Sequence, residues 1–257
     1  MSTLWDRLKR QSDVRPPRVL LYGTGGIGKT TFAAHAPNPV FLQTEESEVG
    51  AATFGLLRSY DEVMAALHDL YEQPHDFGTL VLDSLDWLEP LIWQATAVQN
   101  GWANIETPGY GKGYLAASEQ WRALLEGTTA LRDDRGMAIV LIAHHEIKRF
   151  ESPETDPYDR YQPKLQARAA ALVQEHVDAV LFANYHVATV RTDLGFNKKA
   201  TRGVSSGDRL AYTTERPAWL AKNRYGMPDS IPLSWAEFEK FVPYYSASTT
   251  QPTTTEE

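Results

Sequence analysis

Residues 23–30 read Gly-Thr-Gly-Gly-Ile-Gly-Lys-Thr and satisfy every fixed position of the pattern G-x-x-x-x-G-K-[ST]. Nothing else in the chain narrows the choice of fold as much. The apolar run Val19-Leu20-Leu21-Tyr22 precedes the pattern and Thr31-Phe32-Ala33-Ala34 can open a helix after it, so the glycines fall between a strand and a helix. Glycine lets successive backbone N–H groups converge on phosphate oxygens, beside helix amides that lack internal partners. Gly23, Thr24, Gly25, Gly26, Ile27, Gly28, Lys29, Thr30 and Thr31 are therefore the expected phosphate cradle. Lys29 is expected on the β- and γ-phosphates of ATP and Thr30 on Mg²⁺. The competing reading is a plain glycine-rich turn; the pattern arises by chance about once in a hundred chains of this length.

At 257 residues and 42% apolar, the chain suffices for one α/β core with a small appendage. No apolar run is long enough to span a membrane and residues 1–10 lack the apolar core of a secretory signal, so a soluble protein is expected, and the expected use of ATP points to the cytoplasm. The absence of cysteine excludes disulfides, thiolate metal sites and cysteine nucleophiles. A net charge of −8 argues against a generally basic coat for nucleic acid, yet residues 41–98 hold eleven acidic residues against Arg58 alone while residues 191–224 hold eight basic against three acidic. A local basic face stays open.

In chain order, Ser2 or Thr3 can cap a short helix with Leu4, Trp5 and Leu8 on one side, making residues 1–16 an N-terminal helix and linker that ends at Pro16-Pro17. Val40-Phe41-Leu42 reads as a strand whose tip, Gln43-Thr44-Glu45-Glu46, carries carboxylates. Ser59 and Glu62 form a capping box ahead of Val63, Leu67, Leu70 and Tyr71 at helical spacing. Thr79-Leu80-Val81-Leu82-Asp83 has Walker B form, an apolar strand ending in the carboxylate that holds a Mg²⁺-bound water, with Ser84 assisting. Asp86 is the second choice for that role and otherwise a favourable charge in the first turn of the next helix.

Residues 100–113 form a long loop with four glycines, in which Trp102, Tyr110 and Lys112 serve either to stack bases and neutralise phosphates or to anchor the loop to the core. A helix over 114–132 follows, with Leu115, Trp121, Leu124, Leu125 and Leu131 facing inward. The apolar run 137–143 suits a central parallel strand with His144-His145 at its tip. Adjacent strand residues point to opposite faces and no ligand cluster of metal spacing accompanies the pair, so His144 reads as a γ-phosphate sensor and not as a metal ligand. A second polar loop, 146–164, offers Lys148, Arg149 and Arg160 to nucleic-acid phosphates. Beyond a helix at 166–176 and a strand at 177–183, short antiparallel strands are expected at 185–191, 209–213 and 218–221. Lys198, Lys199, Arg202, Arg209 and Arg216 gather around a turn at 203–207. Ser234 and Glu237 cap a last helix, 235–241, and the polar tail 243–257 is expected to be disordered.

Taken in order, the phosphate loop, the strand ending in Thr-Glu, the strand ending in Asp-Ser, the strand ending in a polar residue and the segment Lys222-Asn223-Arg224-Tyr225-Gly226-Met227-Pro228 resemble the ATPase core of RecA-type recombinases over residues 17–242. More closely the chain is similar to short phage-encoded RecA-like proteins linked to single-strand annealing. The resemblance implies an α/β fold, with a RecA-like P-loop core whose mainly parallel sheet is flanked by helices and carries a C-terminal antiparallel extension. It implies ATP hydrolysis with Mg²⁺ held by Thr30 and Asp83, Glu45 activating the attacking water, and Lys222 and Arg224 reaching a neighbouring subunit's γ-phosphate. Both polar loops fall where that family binds DNA. Single-stranded DNA, a homo-oligomeric ring or filament, and a single-strand-binding protein are the implied partners, in a host cytoplasm if the chain is phage-encoded. His144 stands where a glutamine is usual.

Other classes fit less well. A ParA- or MinD-like switch needs lysine at position 24, which is Thr24, and a regulatory GTPase needs an aspartate that Asn197-Lys198-Lys199-Ala200 lacks. A nucleotide-dependent protein scaffold without DNA binding stays open, as does a small-molecule kinase using one long loop as a lid.

Overall fold

The computed structural model describes residues 14–154, 156–193 and 199–248. The helix expected around Leu4 to Leu8, Asn197 and Lys198, and the side chains of Lys199 and Arg202, lie outside that description. The first half of the chain forms β1 (Arg18–Gly23), α1 (Lys29–Ala34), β2 (Pro39–Gln43), β3 (Ala52–Leu56), α2 (Tyr60–Glu72), β4 (Thr79–Asp83), α3 (Leu85–Gln99) and α4 (Lys112–Arg135). The second half forms β5 (Ala138–Phe150), β6 (Tyr158–Pro163), α5 (Ala167–His176), β7 (Ala179–Asp193), β8 (Lys199–Tyr212), β9 (Lys222–Asn223), β10 (Ser230–Pro232), α6 (Trp235–Glu239) and α7 (Pro243–Ser248).

The strands join in the order β10-β8-β7-β1-β5-β4-β2-β3, with β6 added to β5 and β9 to β7. Neighbours from β7 to β3 are parallel, whereas β8, β10, β9 and β6 are antiparallel. The expected α/β class, a mainly parallel sheet with an antiparallel C-terminal extension, is what the chain adopts. Unbroken apolar strands are required because both faces are covered. Along β1, Val19 and Leu21 pack with Phe32, Trp235 and Phe238, and Leu20 and Tyr22 pack on the opposite face with Val63, Leu67, Trp121 and Leu124.

Ser59 caps α2 as expected, its Oγ accepting from Glu62 N at 3.1 Å, while the Glu62 carboxylate reaches one residue beyond the N-cap and accepts from Arg58 N at 2.6 Å. Helix α4 is longer than its expected span, running between Gly111 and Gly136, both in the left-handed region. Leu115 is 54% exposed and not inward, since it lies about 120° round the helix from Trp121.

Several segments correct the sequence expectation. Most of the polar stretch 146–164 is a β-hairpin and not a loop: β5 continues to Phe150 and pairs antiparallel with β6, from His145 opposite Pro163 to Phe150 opposite Tyr158. Its charges hide two apolar cross-strand pairs, Ile147 opposite Tyr161 and Phe150 opposite Tyr158. The expected strands 177–183 and 185–191 merge into one strand, β7, which begins at Ala179, and the turn expected at 203–207 is strand within β8. There the register shifts between Tyr185 and Val187, and Gly207 adopts φ +81°, so glycine serves a bulge there and not a hairpin tip. Within 218–221 only Trp219 forms bridges, to Tyr161 and Arg216, and β3 is an exposed edge strand containing Gly55 that no sequence pattern announces. Ser234 makes no side-chain cap bond. Within the expected tail, α7 is helical and Tyr245 packs edge-on against Trp235 at 5.9 Å, the aromatic residues supplying the apolar surface the rest of the tail lacks. Among the described residues, no helix is long and apolar enough to cross a membrane.

Candidate nucleotide site

Parallel pairing sets the loops that follow β1, β4, β2 and β5 at one edge of the sheet, the place where open α/β sheets bind ligands. Gly23 pairs with His144, Asp83 with Ile142, and Gln43 with Asp83. Gly23 has no room for a side chain, because a Cβ there would stand 2.1 Å from the carbonyl oxygen of Ala183 on the neighbouring strand. Gly26 and Gly28 take φ +73° and +108°, which bends the loop into the start of α1. The Ile27 side chain is fully buried in the core, leaving only its backbone to the loop.

Lys29 is buried, and its Nζ donates to the carbonyl oxygens of Gly23 at 3.2 Å and Thr24 at 3.0 Å. Burial lowers the ammonium's pKa, and Asp83, Asp86 and Glu45 oppose that shift. Thr30 Oγ1 donates to Asp83 Oδ2 at 2.8 Å. Burial raises the Asp83 carboxyl above its ordinary range despite this bond. Thr44 clamps the two strand ends together: its N–H donates to the Asp83 carbonyl at 2.9 Å and its hydroxyl to the Ser84 carbonyl at 2.7 Å. Ser84 Oγ in turn donates to Glu45 Oε2 at 3.3 Å.

His144 is fixed by Asp86. The carboxylate accepts from the His144 backbone N at 2.9 Å and lies 3.0 Å from Nδ1. Burial would raise the Asp86 pKa, but the hydrogen bonds from His144 outweigh it and hold the group as a carboxylate. A carboxylate only accepts, so Nδ1 carries the proton in this bond. Asp86 therefore positions His144, a role the sequence left between metal water and helix charge. Glu45 Oε2 is 3.9 Å from the same Nδ1. Glu46, the other carboxylate of that strand tip, is exposed beyond the end of β2. A cavity of about 260 Å³ is lined by Gly26, Gly28, Lys29, Thr30 and Thr31 of the loop together with Glu45, Ser47, Asp83 and His144. A larger groove of about 380 Å³, bordered by Ser59, Leu91 and Val98, has Asp61 as its sole charged residue among those described and gathers no comparable chemistry there.

The other expected site residues scatter. Lys222 and Arg224 lie toward the opposite end of the sheet, where Lys222 pairs with Val180 while Gly23 pairs with Ala183. Both charges have local partners: Lys222 Nζ donates to the carbonyl oxygens of Gln174 at 2.7 Å and Val177 at 2.6 Å, and Arg224 meets Asp178 at 3.5 Å. Arg160 is buried, paired with Glu215 at 2.5 Å and stacked over Phe150 at 5.0 Å, so it is not available to a nucleic-acid phosphate. Lys148 pairs with Glu146 at 2.6 Å and Arg149 with Asp159 at 3.9 Å, both in exposed positions. In the loop before α4, Trp102 is half-buried, whereas Tyr110 is fully exposed at φ +51° and Lys112 is exposed. His145 turns away from His144 onto the Tyr161 ring at 5.2 Å, and no cluster of metal-ligating side chains exists among the described residues.

Comparison with known proteins agrees with this geometry at the level of family. No curated protein matches the chain. Among solved structures it is similar to the crystal structure of the RadB recombinase, at 13% identity and a TM-score of 0.46 over 81% of this chain and 86% of that one. The sequence profile of a family described as an AAA domain matches residues 15–225, which takes in the phosphate loop, Asp83, His144 and all of the parallel sheet. The chain belongs to the AAA domain family.

Proposed function

We propose that the protein is a Mg²⁺-dependent ATPase of RecA-like type that binds single-stranded DNA in recombination or annealing. One observation carries the nucleotide half: a threonine hydroxyl and a buried carboxylate, Thr30 and Asp83, lie 2.8 Å apart at a cavity shared with Lys29 and Glu45. Thr30 and Asp83, a hydroxyl and a carboxylate side by side, suit Mg²⁺, a hard ion with few protein ligands. When bound, the ion neutralises charge on the phosphates. The residues of the cradle, 23–31, hold the polyphosphate through backbone amides, Lys29 turns from its own loop's carbonyls to the β- and γ-phosphates, and Glu45 orients the attacking water and accepts its proton. His144, steadied by Asp86, senses the γ-phosphate. Arg224, its side chain 57% exposed, is better placed than Lys222 to reach a neighbouring subunit's nucleotide in a head-to-tail ring or filament.

For DNA, Tyr110 and Lys112 with Trp102 in one loop, and Lys148 and Arg149 in the β5–β6 hairpin, are the proposed contacts. A second reading, a nucleotide-dependent protein scaffold without DNA, is favoured by the ion pairing of Lys148 and Arg149 with Glu146 and Asp159. ATP turnover with and without single-stranded DNA at stated salt separates the two, and stimulation that fades as salt rises supports the first. Lys29→Ala is expected to lose nucleotide binding, whereas Glu45→Gln retains binding and loses turnover. Equal loss of ATP affinity in both would count against these roles.

A further inference from the structure

Strand β8 brings one cation back over the phosphate loop. Gly23 at the end of β1 pairs with Ala183 of β7, Ala183 pairs with Ala211 of β8, and two residues further along β7 Tyr185 pairs with Arg209. Arg209 thus lies beyond the carboxyl edge of β1, where the loop turns. Its backbone is anchored by the Leu233 N–H, which donates to the Arg209 carbonyl at 3.0 Å. Its guanidinium leans onto the loop: Nη1 is 3.1 Å from the point a Cβ on Gly28 would occupy, and Leu233 Cδ2 is 4.0 Å from the same point. Gly28 carries no side chain and adopts φ +108°, so nothing stands between the guanidinium and the loop backbone. The cations Arg160, Arg216 and Arg224 each have a carboxylate partner, whereas no ion pair of Arg209 is found among the described residues.

The charge around the cavity gives this cation a use. Among the described residues Lys29 is the sole cationic side chain lining it, against Glu45 and Asp83, with Asp86 behind His144. A nucleoside triphosphate brings several further negative charges into that acidic setting. We propose that Arg209 is a second cation of the cradle, acting within its own subunit on the polyphosphate of a bound nucleoside di- or triphosphate; this rests on the nucleotide reading of the site given above. An arginine suits the task because its planar fork is always charged and meets two phosphate oxygens at once. Contact beside Gly28, where ground-state phosphate is held, stabilises bound substrate and transition state alike. It acts on affinity and not on the chemical step.

The test measures Mg·ATP and Mg·ADP affinity by calorimetry, and KM and kcat, for the full chain and for Arg209→Ala, Arg209→Lys and Lys29→Ala, with circular dichroism and single-stranded DNA affinity alongside. Arg209→Ala is expected to weaken both nucleotides by about 10- to 100-fold, the range of a charge-assisted hydrogen bond, and to raise KM with kcat nearly unchanged. Arg209→Lys, keeping the charge without the fork, should fall between. Wild-type affinity for both nucleotides in a folded Arg209→Ala, while Lys29→Ala has lost them, overturns the proposal and leaves the nucleotide reading standing. Loss of DNA affinity alone places Arg209 on a DNA surface and equally overturns it. If the alanine variant does not fold, the lysine variant decides: intermediate affinity supports the proposal and wild-type affinity refutes it. An unsubstituted chain that binds neither nucleotide refutes the site reading itself.

Discussion

Lys222 offers a direct choice between a structural and a catalytic use of one charge. Its ammonium donates to two carbonyls at the C-terminal end of α5, Gln174 at 2.7 Å and Val177 at 2.6 Å, with Glu175 further off at 3.4 Å. Hydrogen bonds made by a charged group contribute roughly 1.5–3 kcal/mol each, and a cation at a helix C-terminus adds about 0.3–1 kcal/mol. The site is half-buried, so water replaces part of what is lost and the bonds share one donor group. Lys222→Met, which keeps the stem and deletes the donors, is therefore expected to cost about 2 kcal/mol and not the gross sum. At a urea m-value of roughly 2–3 kcal/mol/M, the unfolding midpoint should fall by about 0.7–1 M with the slope unchanged. Turnover per folded molecule should persist, and dependence of turnover on protein concentration should be sensitive to Arg224→Ala. An unchanged midpoint together with loss of concentration-dependent turnover would refute this reasoning and return Lys222 to the neighbouring subunit's nucleotide.

Glu89 and Gly23 give two further tests. Both Glu89 carboxylate oxygens accept from Gln166 N, at 3.1 and 3.0 Å, and burial pushes the carboxyl from 4.5 to about 7. Because the folded pKa is the higher one, the stability this proton confers is complete below about pH 4.5 and is lost as pH rises through about 7. The full effect is about 3 kcal/mol. Urea midpoints should decline from pH 5 to 8 more steeply in the unsubstituted protein than in Glu89→Gln, and parallel curves would show that the carboxyl holds no such proton. In Gly23→Ala the new Cβ meets the backbone oxygen of Ala183, so β1 and β7 must part at a cost of roughly 1–3 kcal/mol. Gly25→Ala, with nothing within 4 Å, is the stability control, and equal melting temperatures for the two variants would contradict the contact.

The sequence by itself determined what depends on neighbours along the chain. The glycines of the loop, the apolar strand ending at Asp83 and the Ser59 cap of α2 are local patterns, because backbone conformation and helix capping are set within a few residues. An unbroken apolar run announced a strand covered on both faces, and 138–143 is one. Tertiary structure alone decided how each charge is used. Arg160 looks like a phosphate contact until Glu215, 55 residues away, and Phe150 take it into the interior. Lys222 looks unpartnered until α5 ends beneath it, and Asp86 looks like a first-turn charge until β5 sets His144 beside it across 58 residues. A long side chain's pairing costs little locally and is chosen by whatever the sheet register brings within about 3 Å, so it leaves no periodic trace in the chain. Register also placed Arg209 against Gly28, since only the pairing of β1, β7 and β8 makes neighbours of residues so distant in sequence.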